Sequence, residues 1–202
     1  MRLDSYATLA QLGPIVRTGE AAAALDISLS QASRSLRSLE AAGLARNVRR
    51  GLWIVGTAPI DPRRLADEIT RPYPAYVSFL SALNAHGMID QVPREIGIAS
   101  LDSAKRVVTS LGTFSVHHLP PELFEGWTER DGIKLADPEK ALFDLAYVSA
   151  VHQGRLRNLP ELELPRGFTR SRIQHWMARV PSPRVRTLTS RGVRQALARA
   201  TR

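Results

Sequence analysis

One segment, residues 18–55, constrains this chain more than any other because it orders four short elements that belong together. It reads TGEAAAALDISLSQASRSLRSLEAAGLARNVRRGLWIV. Ala-rich residues 20–25 predict a short helix, and Asp26-Ile27 predicts a turn before a second helix. An Arg-rich stretch with a β-branched and aromatic return strand then predicts a hairpin. The segment is thus expected to fold as two helices joined by a tight turn and followed by a hairpin.

The second helix of this segment is bounded at both ends by its own sequence. Ser28 can accept a hydrogen bond from a free backbone N–H, and Gln31 can reach back to complete a capping box. The helix is therefore predicted to begin at about Leu29, and Gly43 stands where a left-handed C-terminal cap belongs. Its apolar positions, which are spaced by three and four and so share one face, are Leu29, Ala32, Leu36 and Leu39.

The opposite face of this helix collects polar and basic side chains, and the order of elements is typical of a winged helix-turn-helix that binds DNA. Gln31, Arg34 and Arg37 are expected to enter the major groove. The two serines beside them would fix the helix on phosphates, and the two hairpin arginines would hold the flanking backbone. The predicted DNA-binding residues are Ser30, Gln31, Ser33, Arg34, Arg37, Arg49 and Arg50. The alternative is an ordinary helix pair with a solvated basic face, but the Arg-rich hairpin favours DNA binding.

Length and composition bound the remainder of the chain. The 202 residues are 44% hydrophobic, which suits a DNA-binding domain over residues 1–57 and a second domain over residues 58–202. No stretch approaches the ~20 apolar residues of a membrane span, and no signal peptide precedes the first domain, so a cytoplasmic protein with no membrane partner is expected. The chain has no cysteine, which excludes disulfides, thiol catalysis and thiolate metal sites.

The net charge of +9 is unevenly distributed. Residues 1–57 carry seven Arg and four acidic residues, whereas residues 58–158 are close to neutral, with eleven basic and thirteen acidic residues. Residues 159–202 carry ten Arg and only two acidic residues. This basic helical tail is expected to supply further phosphate contacts, for which the candidates are Arg184, Arg186, Arg191 and Arg194.

The second domain is predicted to combine a small antiparallel sheet with helices, which makes the fold class α/β mixed (α+β). Gly87 stops a buried helix that begins at Tyr76, and Pro138 after Asp137 begins a helix at 139–149. Further helices are predicted at 62–69, 171–180 and 191–200. Short alternating or β-branched stretches predict strands at 94–100, 106–108, 113–119 and 132–135.

Candidate catalytic side chains are present, but a structural role fits each of them better. They are His86, His117, His118, Glu139, Lys140 and Asp144. In the first turn of its helix, Lys140 is expected to face solvent and to pair with Asp144 one turn later. The adjacent histidines His117 and His118 point to opposite faces of a strand, so they cannot hold a metal together.

The position of His86 also favours a structural role, because an imidazole at a helix end can bond the last carbonyls. The sequence shows no Gly-rich phosphate loop, no paired carboxylates and no nucleophile elbow. We therefore predict that the chain is not an enzyme and uses no cofactor and no metal.

Four stretches in the same order resemble the AbiEi family of antitoxins. They are RGLW at 50–53; YVSFLSAL at 76–83, leading to HG at 86–87 and QVP at 91–93; FSVHHL at 114–119; and ADPEKALFDLAY at 136–147. The resemblance covers most of residues 15–150. It implies an antitoxin and transcriptional regulator of a type IV, abortive-infection toxin–antitoxin system.

The resemblance also implies partners. The protein would bind inverted repeats in the double-stranded DNA of its own operator and act as a repressor, and it would counteract a cognate nucleotidyltransferase-like toxin directly or indirectly. Residues 58–202 would carry the antitoxin role. Two other functions stay open: a winged-helix transcription factor with a ligand- or protein-binding C-terminal domain and no toxin partner, and an interaction protein in which the winged helix is a scaffold.

Overall fold

The computed structural model describes residues 2–152 and 161–201, and their side chains from residue 4 onward. Residues 159, 160 and 202 of the predicted basic tail lie outside this description. The chain divides into two compact units. Unit 1 is Met1–Pro62 together with Val108–Gly112, and unit 2 is Arg63–Val107 together with Thr113–Arg202.

Unit 1 is built from three helices and a three-stranded antiparallel sheet in the order β1-β3-β2. Neither the first helix nor the first strand was predicted from the sequence. The strand β1 pairs with β3, so that Val16 lies opposite Trp53. The elements are α1 (Arg2–Gln11), β1 (Ile15–Arg17), α2 (Thr18–Ala24), α3 (Leu29–Ala41), β2 (Ala45–Arg49) and β3 (Leu52–Val55).

The predicted boundaries of α3 are confirmed. Ser28 is its N-cap residue, both halves of the capping box with Gln31 are formed, and Gly43 has φ +72° just after the helix. One prediction about this helix is wrong, because Leu29 is 63% exposed. As the first helical residue it precedes the turn that packs on the core, and the buried apolar residues are Ala32, Leu36 and Leu39.

In the rest of the chain, the described residues up to 152 and from 161 to 201 form five α-helices and six strands. A 3-10 turn, Pro62–Leu65, leads into α4, and the tail forms two helices. The elements are α4 (Ala66–Thr70), β4 (Ala75–Val77), α5 (Phe79–Ala85), β5 (Ile96–Ser100), β6 (Lys105–Thr109), β7 (Gly112–His118), β8 (Trp127–Arg130), β9 (Ile133–Ala136), α6 (Pro138–Val151), α7 (Arg170–Arg179) and α8 (Pro183–Ala198).

The predicted small antiparallel sheet is wrong, because the six strands form a mixed sheet in the order β6-β7-β5-β4-β9-β8. The pairs β4–β5 and β8–β9 are antiparallel, whereas β5–β7 and β4–β9 are parallel. The strand β4 near the middle was missed because Ala75, Tyr76 and Val77 are all buried. A strand that is buried on both faces shows no alternation in its sequence.

The predicted helix from Tyr76 to Gly87 is confirmed in its C-terminal part, since α5 spans Phe79–Ala85 and ends just before Gly87, which has φ +66°. Its predicted start is wrong, because β4 ends at Val77 and α5 begins at Phe79. Phe79 adopts φ +57°, a left-handed conformation that is unusual for a bulky side chain. The backbone N–H of Ser78 donates to the carbonyl oxygen of Gly97 at 2.9 Å. A Cβ atom on Gly97 would lie 3.0 Å from Phe79 Cδ2, so the glycine allows β5 to lie against this turn.

The last helix begins earlier than predicted. Ser182 caps α8 by accepting from the N–H of Val185, and Pro183 occupies the first turn. Thr189, which precedes the predicted helix start at residue 191, is buried inside α8 and donates to the carbonyl of Val185. Ile173 and Trp176 of α7 and Val193 of α8 belong to the same hydrophobic cluster as Phe143 of α6. The tail helices are therefore part of the core of unit 2.

Candidate nucleic-acid interface and a buried ionic cluster

The predicted DNA-binding residues of α3 form one solvent-facing surface, which we call the α3 face. Four of its side chains are exposed and the fifth, Ser33, is half-buried. They lie opposite the buried stripe because the helix repeats every 3.6 residues. The α3 face consists of Ser30, Gln31, Ser33, Arg34 and Arg37.

The first turn of the α3 face is occupied by helix capping. Gln31 Oε1 accepts from the backbone N–H of Ser28 at 2.9 Å and from Ser28 Oγ at 2.8 Å. Ser30 Oγ lies 3.1 Å from Ser28 Oγ. The side-chain oxygen of Gln31 is thus already hydrogen-bonded to Ser28. A bidentate contact to adenine would need both the oxygen and the nitrogen of this side-chain amide.

The two arginines of the α3 face differ in how they are held. Arg37 Nη2 donates to Ser33 Oγ at 3.0 Å, one turn earlier on the same helix. Arg34 is exposed, and it makes no hydrogen bond or ion pair with any residue that the structure describes. A solvated guanidinium keeps five N–H donors, so Arg34 is the side chain of this surface most available to another molecule.

The hairpin after α3 exposes three more arginines. Arg46 and Arg49 lie on β2 and Arg50 lies in the two-residue turn with Gly51, which has φ +79°. The register shifts between Asn47 and Arg49. Such a bulge bends the strand and re-aims the side chains that follow it.

Polar contacts fix the hairpin and the helices of unit 1 on a common core. Trp53 on β3 is 4% exposed, and its Nε1 donates to Thr18 Oγ1 at the start of α2, at 3.0 Å. Trp53 and Leu36 belong to one hydrophobic cluster, so this tryptophan anchors the hairpin on the helices. The N–H of Asn47 on β2 donates to Glu40 Oε1 on α3, at 2.8 Å.

The four tail arginines proposed as phosphate contacts are exposed on α8, but they do not share one environment. Arg186 donates through Nε and Nη2 to the carbonyl oxygen of Val180, at 3.2 and 2.7 Å, so it caps the C-terminal end of α7. Arg184 and Arg191 are seven residues apart and therefore lie on one side of the helix. Arg194 instead lines a groove between α7 and α8.

A second charged feature lies inside unit 2, and we call it the buried ionic cluster. It consists of Tyr76, Ser78, Lys140 and Asp144, all of which are fully buried. Lys140 Nζ pairs with Asp144 Oδ1. The other carboxylate oxygen accepts from the hydroxyls of Tyr76 at 2.9 Å and Ser78 at 2.7 Å. The cluster joins α6 to β4 and to the turn that begins α5.

Burial shifts the protonation equilibria of this cluster in opposite directions. Loss of water lowers the pKa of Lys140 and raises the pKa of Asp144, and in each case the partner's charge opposes the shift. The pKa of Tyr76 is raised well above its ordinary value by burial and then by the charge of Asp144. A charged pair in such a place needs partners for its other polar groups. Here both carboxylate oxygens of Asp144 accept hydrogen bonds, and aromatic rings surround the ammonium of Lys140.

The prediction that Lys140 faces solvent is wrong. Its ammonium lies 5.2 to 5.6 Å from the ring centroids of Tyr76, Phe143 and Trp176, close enough for cation–π attraction. The i, i+4 spacing that predicts the Lys140–Asp144 pair is the same on a surface and in a core. The signal that sequence reasoning missed is the nearly continuous apolar run ALFDLA around the aspartate.

The other candidate catalytic groups also have structural partners. His86 Nε2 lies 2.7 Å from the carbonyl oxygen of Ala136, so its role is structural as predicted, but its partner is on β9 and not at the end of its own helix. Glu139 is buried and accepts from the backbone N–H of Thr169 at 2.7 Å, which fixes the start of α7. His117 and His118 have separate surroundings, as predicted: His117 packs on Phe79, whereas His118 Nδ1 lies 3.2 Å from the carbonyl oxygen of Asp102.

These arrangements differ in what they can do chemically. The guanidinium groups of the α3 face and the hairpin are in water and can donate to phosphate oxygens or base edges. The buried ionic cluster is closed to solvent and is hydrogen-bonded throughout, so it holds elements together. Over residues 2–152 and 161–201, no group of three or more His, Asp or Glu side chains is placed to hold a metal ion.

No protein-family model matches the sequence, and the comparison with curated proteins gives no significant match. In the part of the chain that the structure describes, every helix is too short or too polar to cross a membrane.

Proposed function

We propose that this chain is a DNA-binding repressor and antitoxin of the AbiEi type, in which unit 1 acts as a winged helix-turn-helix. The observation that carries the DNA-binding half is the exposure of Arg34 together with three further exposed arginines in the hairpin, all on elements that pack on one core. A helix with a basic, polar face followed by a basic hairpin fits the major groove and its flanking backbone.

The contacts of the α3 face assign different roles to its residues within this proposal. Arg34 reads a base edge, because its guanidinium donors are not used by any described residue. Arg37 approaches the groove with its orientation fixed by Ser33. Gln31, Ser28 and Ser30 close the helix N-terminus and present backbone and hydroxyl donors to a phosphate, so Gln31 contributes less to base reading than the sequence predicts.

The hairpin and part of the tail supply sequence-independent affinity. Arg49 and Arg50 contact the flanking backbone. In the tail, Arg184 and Arg191 share a side of α8 and are the better candidates for phosphate contacts, since Arg186 already caps α7. Removal of the whole tail would not test this assignment, because α7 and α8 contribute to the core of unit 2.

Fluorescence anisotropy with the DNA upstream of the chain's own gene tests the DNA-binding half. Arg34→Ala is expected to weaken binding to this DNA by about 1–3 kcal/mol, and to weaken binding to scrambled DNA much less. Arg130→Ala is the matched control, because Arg130 is an exposed arginine of unit 2. Equal losses on both DNAs would make Arg34 a phosphate contact, and no preference of the unmodified chain for its upstream DNA would overturn the proposal.

The antitoxin half of the proposal rests on the resemblance alone, and it requires a toxin gene beside this one. A nucleotidyltransferase-like reading frame adjacent to the gene, whose expression arrests growth, should be rendered harmless by co-expression of this chain. Variants of Arg34 should keep that protection if unit 2 carries it. If no such gene is adjacent, or if co-expression gives no protection, the chain is a DNA-binding regulator without a toxin partner.

A further inference from the structure

An open cavity of unit 2 lies beside the turn between β4 and α5. Its volume is about 740 Å³, within the range of small-molecule sites. Its apolar walls come from Phe79, Ile89, Val92, Leu145 and Val148. The polar side chains at its rim include Arg94, Glu95, His117 and His152. The proposed function uses none of these residues.

The charged groups of this pocket favour an anion. Glu95 is the one carboxylate among its described lining residues, and Arg106 Nε donates to Glu95 Oε1 at 2.7 Å. The negative charge of Glu95 is therefore already balanced by Arg106. Arg94 is exposed at the rim, and two imidazoles, His117 from β7 and His152 from the end of α6, face the same space. An occupant with a negative group would meet three cationic or protonatable side chains.

His117 is held in a defined position at the pocket wall. Its ring centroid lies 4.5 Å from that of Phe79, and its Nε2 lies 3.1 Å from Ser115 Oγ. Burial lowers the pKa of His117, the charge of His152 lowers it further, and Glu95 opposes the shift. His152 lies immediately after α6, and Glu95 lies immediately before β5. A bound anion would favour the protonated imidazole, because an opposite charge stabilises the charged form.

The apolar wall of the pocket contains a strained residue. Phe79 has φ +57°, a left-handed conformation that is strained for a bulky side chain. Gly97 allows β5 to lie against it, since a Cβ atom on this glycine would lie 3.2 Å from Phe79 Cβ. The phenyl ring lies against the ring of His117 at the pocket wall. Such strain tends to persist where it shapes a binding site.

We propose that this pocket binds a small organic acid with an apolar body. The carboxylate lies between His117, His152 and Arg94, and the apolar body packs on Phe79, Leu145 and Val148. The polar groups set the orientation of the ligand and the walls supply most of the buried area, as in small-molecule sites generally. The inference concerns unit 2 alone and does not depend on DNA binding or on a toxin.

The test is NMR of the full chain with isotope-labelled histidine, titrated with a panel of aryl and branched-chain carboxylates. The panel is led by phenylacetate, with phenylacetamide and phenethylamine as its neutral and cationic counterparts. Ligands of this size are expected to bind in the micromolar to millimolar range. The acids should shift the ring signals of His117 and His152 saturably, and the amide and the amine should bind at least about fivefold more weakly, since they lack the charge that the imidazoles and Arg94 attract.

Two pairs of variants locate the site. His117→Gln keeps a hydrogen-bonding side chain beside Ser115 and should weaken acid binding, whereas His118→Gln, one residue along the same strand, should not. Arg94→Gln should also weaken binding, and Arg130→Gln should not. Affinity for the acids should rise about threefold or more between pH 8 and pH 6, because binding is linked to protonation of the imidazoles.

Several results would overturn the inference. One is the failure of every acid in the panel to shift the His117 signals at about 5 mM, a concentration that would reveal even millimolar affinity. Another is equal affinity for the acid, the amide and the amine. A third is equal weakening by His117→Gln and His118→Gln. Thermal melting of each variant shows whether it is folded, and His152→Gln replaces any variant that is not.

Discussion

The α3 face and the buried ionic cluster both depend on charged side chains, but water surrounds one and is excluded from the other. Arg34 is solvated and has no partner among the described residues, so its charge is free to attract another molecule. Lys140 and Asp144 are fully buried, so their charges are used on each other. A substitution in the first region should therefore change binding, and one in the second should change folding stability.

The largest expected effect comes from Lys140→Met. This change keeps the volume of the side chain but leaves the Asp144 carboxyl without its cation, so the free energy of unfolding should fall by about 3–5 kcal/mol. Urea denaturation followed by tryptophan fluorescence measures it, because Trp176 lies beside Lys140.

The surface pair Lys105–Asp102 provides the control for this prediction. Lys105→Met should change stability by at most about 1 kcal/mol, because exposed ion pairs contribute little. The double variant K140M/D144N should be less destabilised than the sum of its single changes, by about 1–3 kcal/mol. Strictly additive changes in the free energy of unfolding, or equal losses of stability in Lys140→Met and Lys105→Met, would contradict this prediction.

The second effect is the loss of DNA affinity in Arg34→Ala, by about 1–3 kcal/mol on the preferred sequence. The same variant should keep its free energy of unfolding within about 0.5 kcal/mol, since surface changes without a structural partner are usually neutral. A large stability loss in Arg34→Ala would show that the α3 face supports the fold, and the contrast with Lys140 would disappear.

A third prediction separates two arginines of the same helix. Arg186→Gln should lower stability by about 1 kcal/mol, because the guanidinium satisfies the carbonyl of Val180 at the end of α7. Arg184→Gln should leave stability unchanged and reduce the salt-dependent part of DNA binding. Differential scanning fluorimetry and anisotropy on the two variants measure both quantities. If Arg184→Gln lowers stability and Arg186→Gln reduces the salt-dependent part of DNA binding, then Arg186, not Arg184, contacts phosphate.

The smallest predicted effect is a dependence of stability on pH. The pKa of His117 is lowered in the folded chain by burial and by His152, so the unfolded chain binds its proton more readily. This contribution to stability is present above the ordinary histidine pKa and is lost as the pH falls below it. His117→Gln should therefore lose less stability than the unmodified chain between about pH 6.5 and pH 5. If the stability of His117→Gln falls with pH as steeply as that of the unmodified chain, the lowered pKa of His117 is contradicted.

The same contrast explains which parts of the structure the sequence predicts. The α3 boundaries are local, since Ser28 and Gln31 bond each other and Gly43 needs only its own backbone conformation. The exposure of the α3 face follows from helical periodicity in the same way. These features could be predicted because every group that decides them lies within a few residues.

The interior of unit 2 could not be predicted in this way, because its deciding contacts join distant residues. Asp144 bonds Tyr76 and Ser78, which precede it by more than sixty residues. The parallel pairing of β5 with β7 likewise depends on partners that neither strand's sequence specifies. The acid pocket was also missed, because its walls come from four separate elements. The residue types were visible in the sequence, but their neighbours were not.

If the solvated arginines of unit 1 bind DNA, affinity for the upstream DNA must depend steeply on the salt concentration. The logarithm of the association constant should fall linearly with the logarithm of the salt concentration, with a slope of about −0.9 for each phosphate neutralised. The double variant R49Q/R50Q should reduce the steepness by about 1–2, whereas Lys105→Met should not. An affinity that does not change between low and physiological salt, or the same slope in R49Q/R50Q, would contradict the claim.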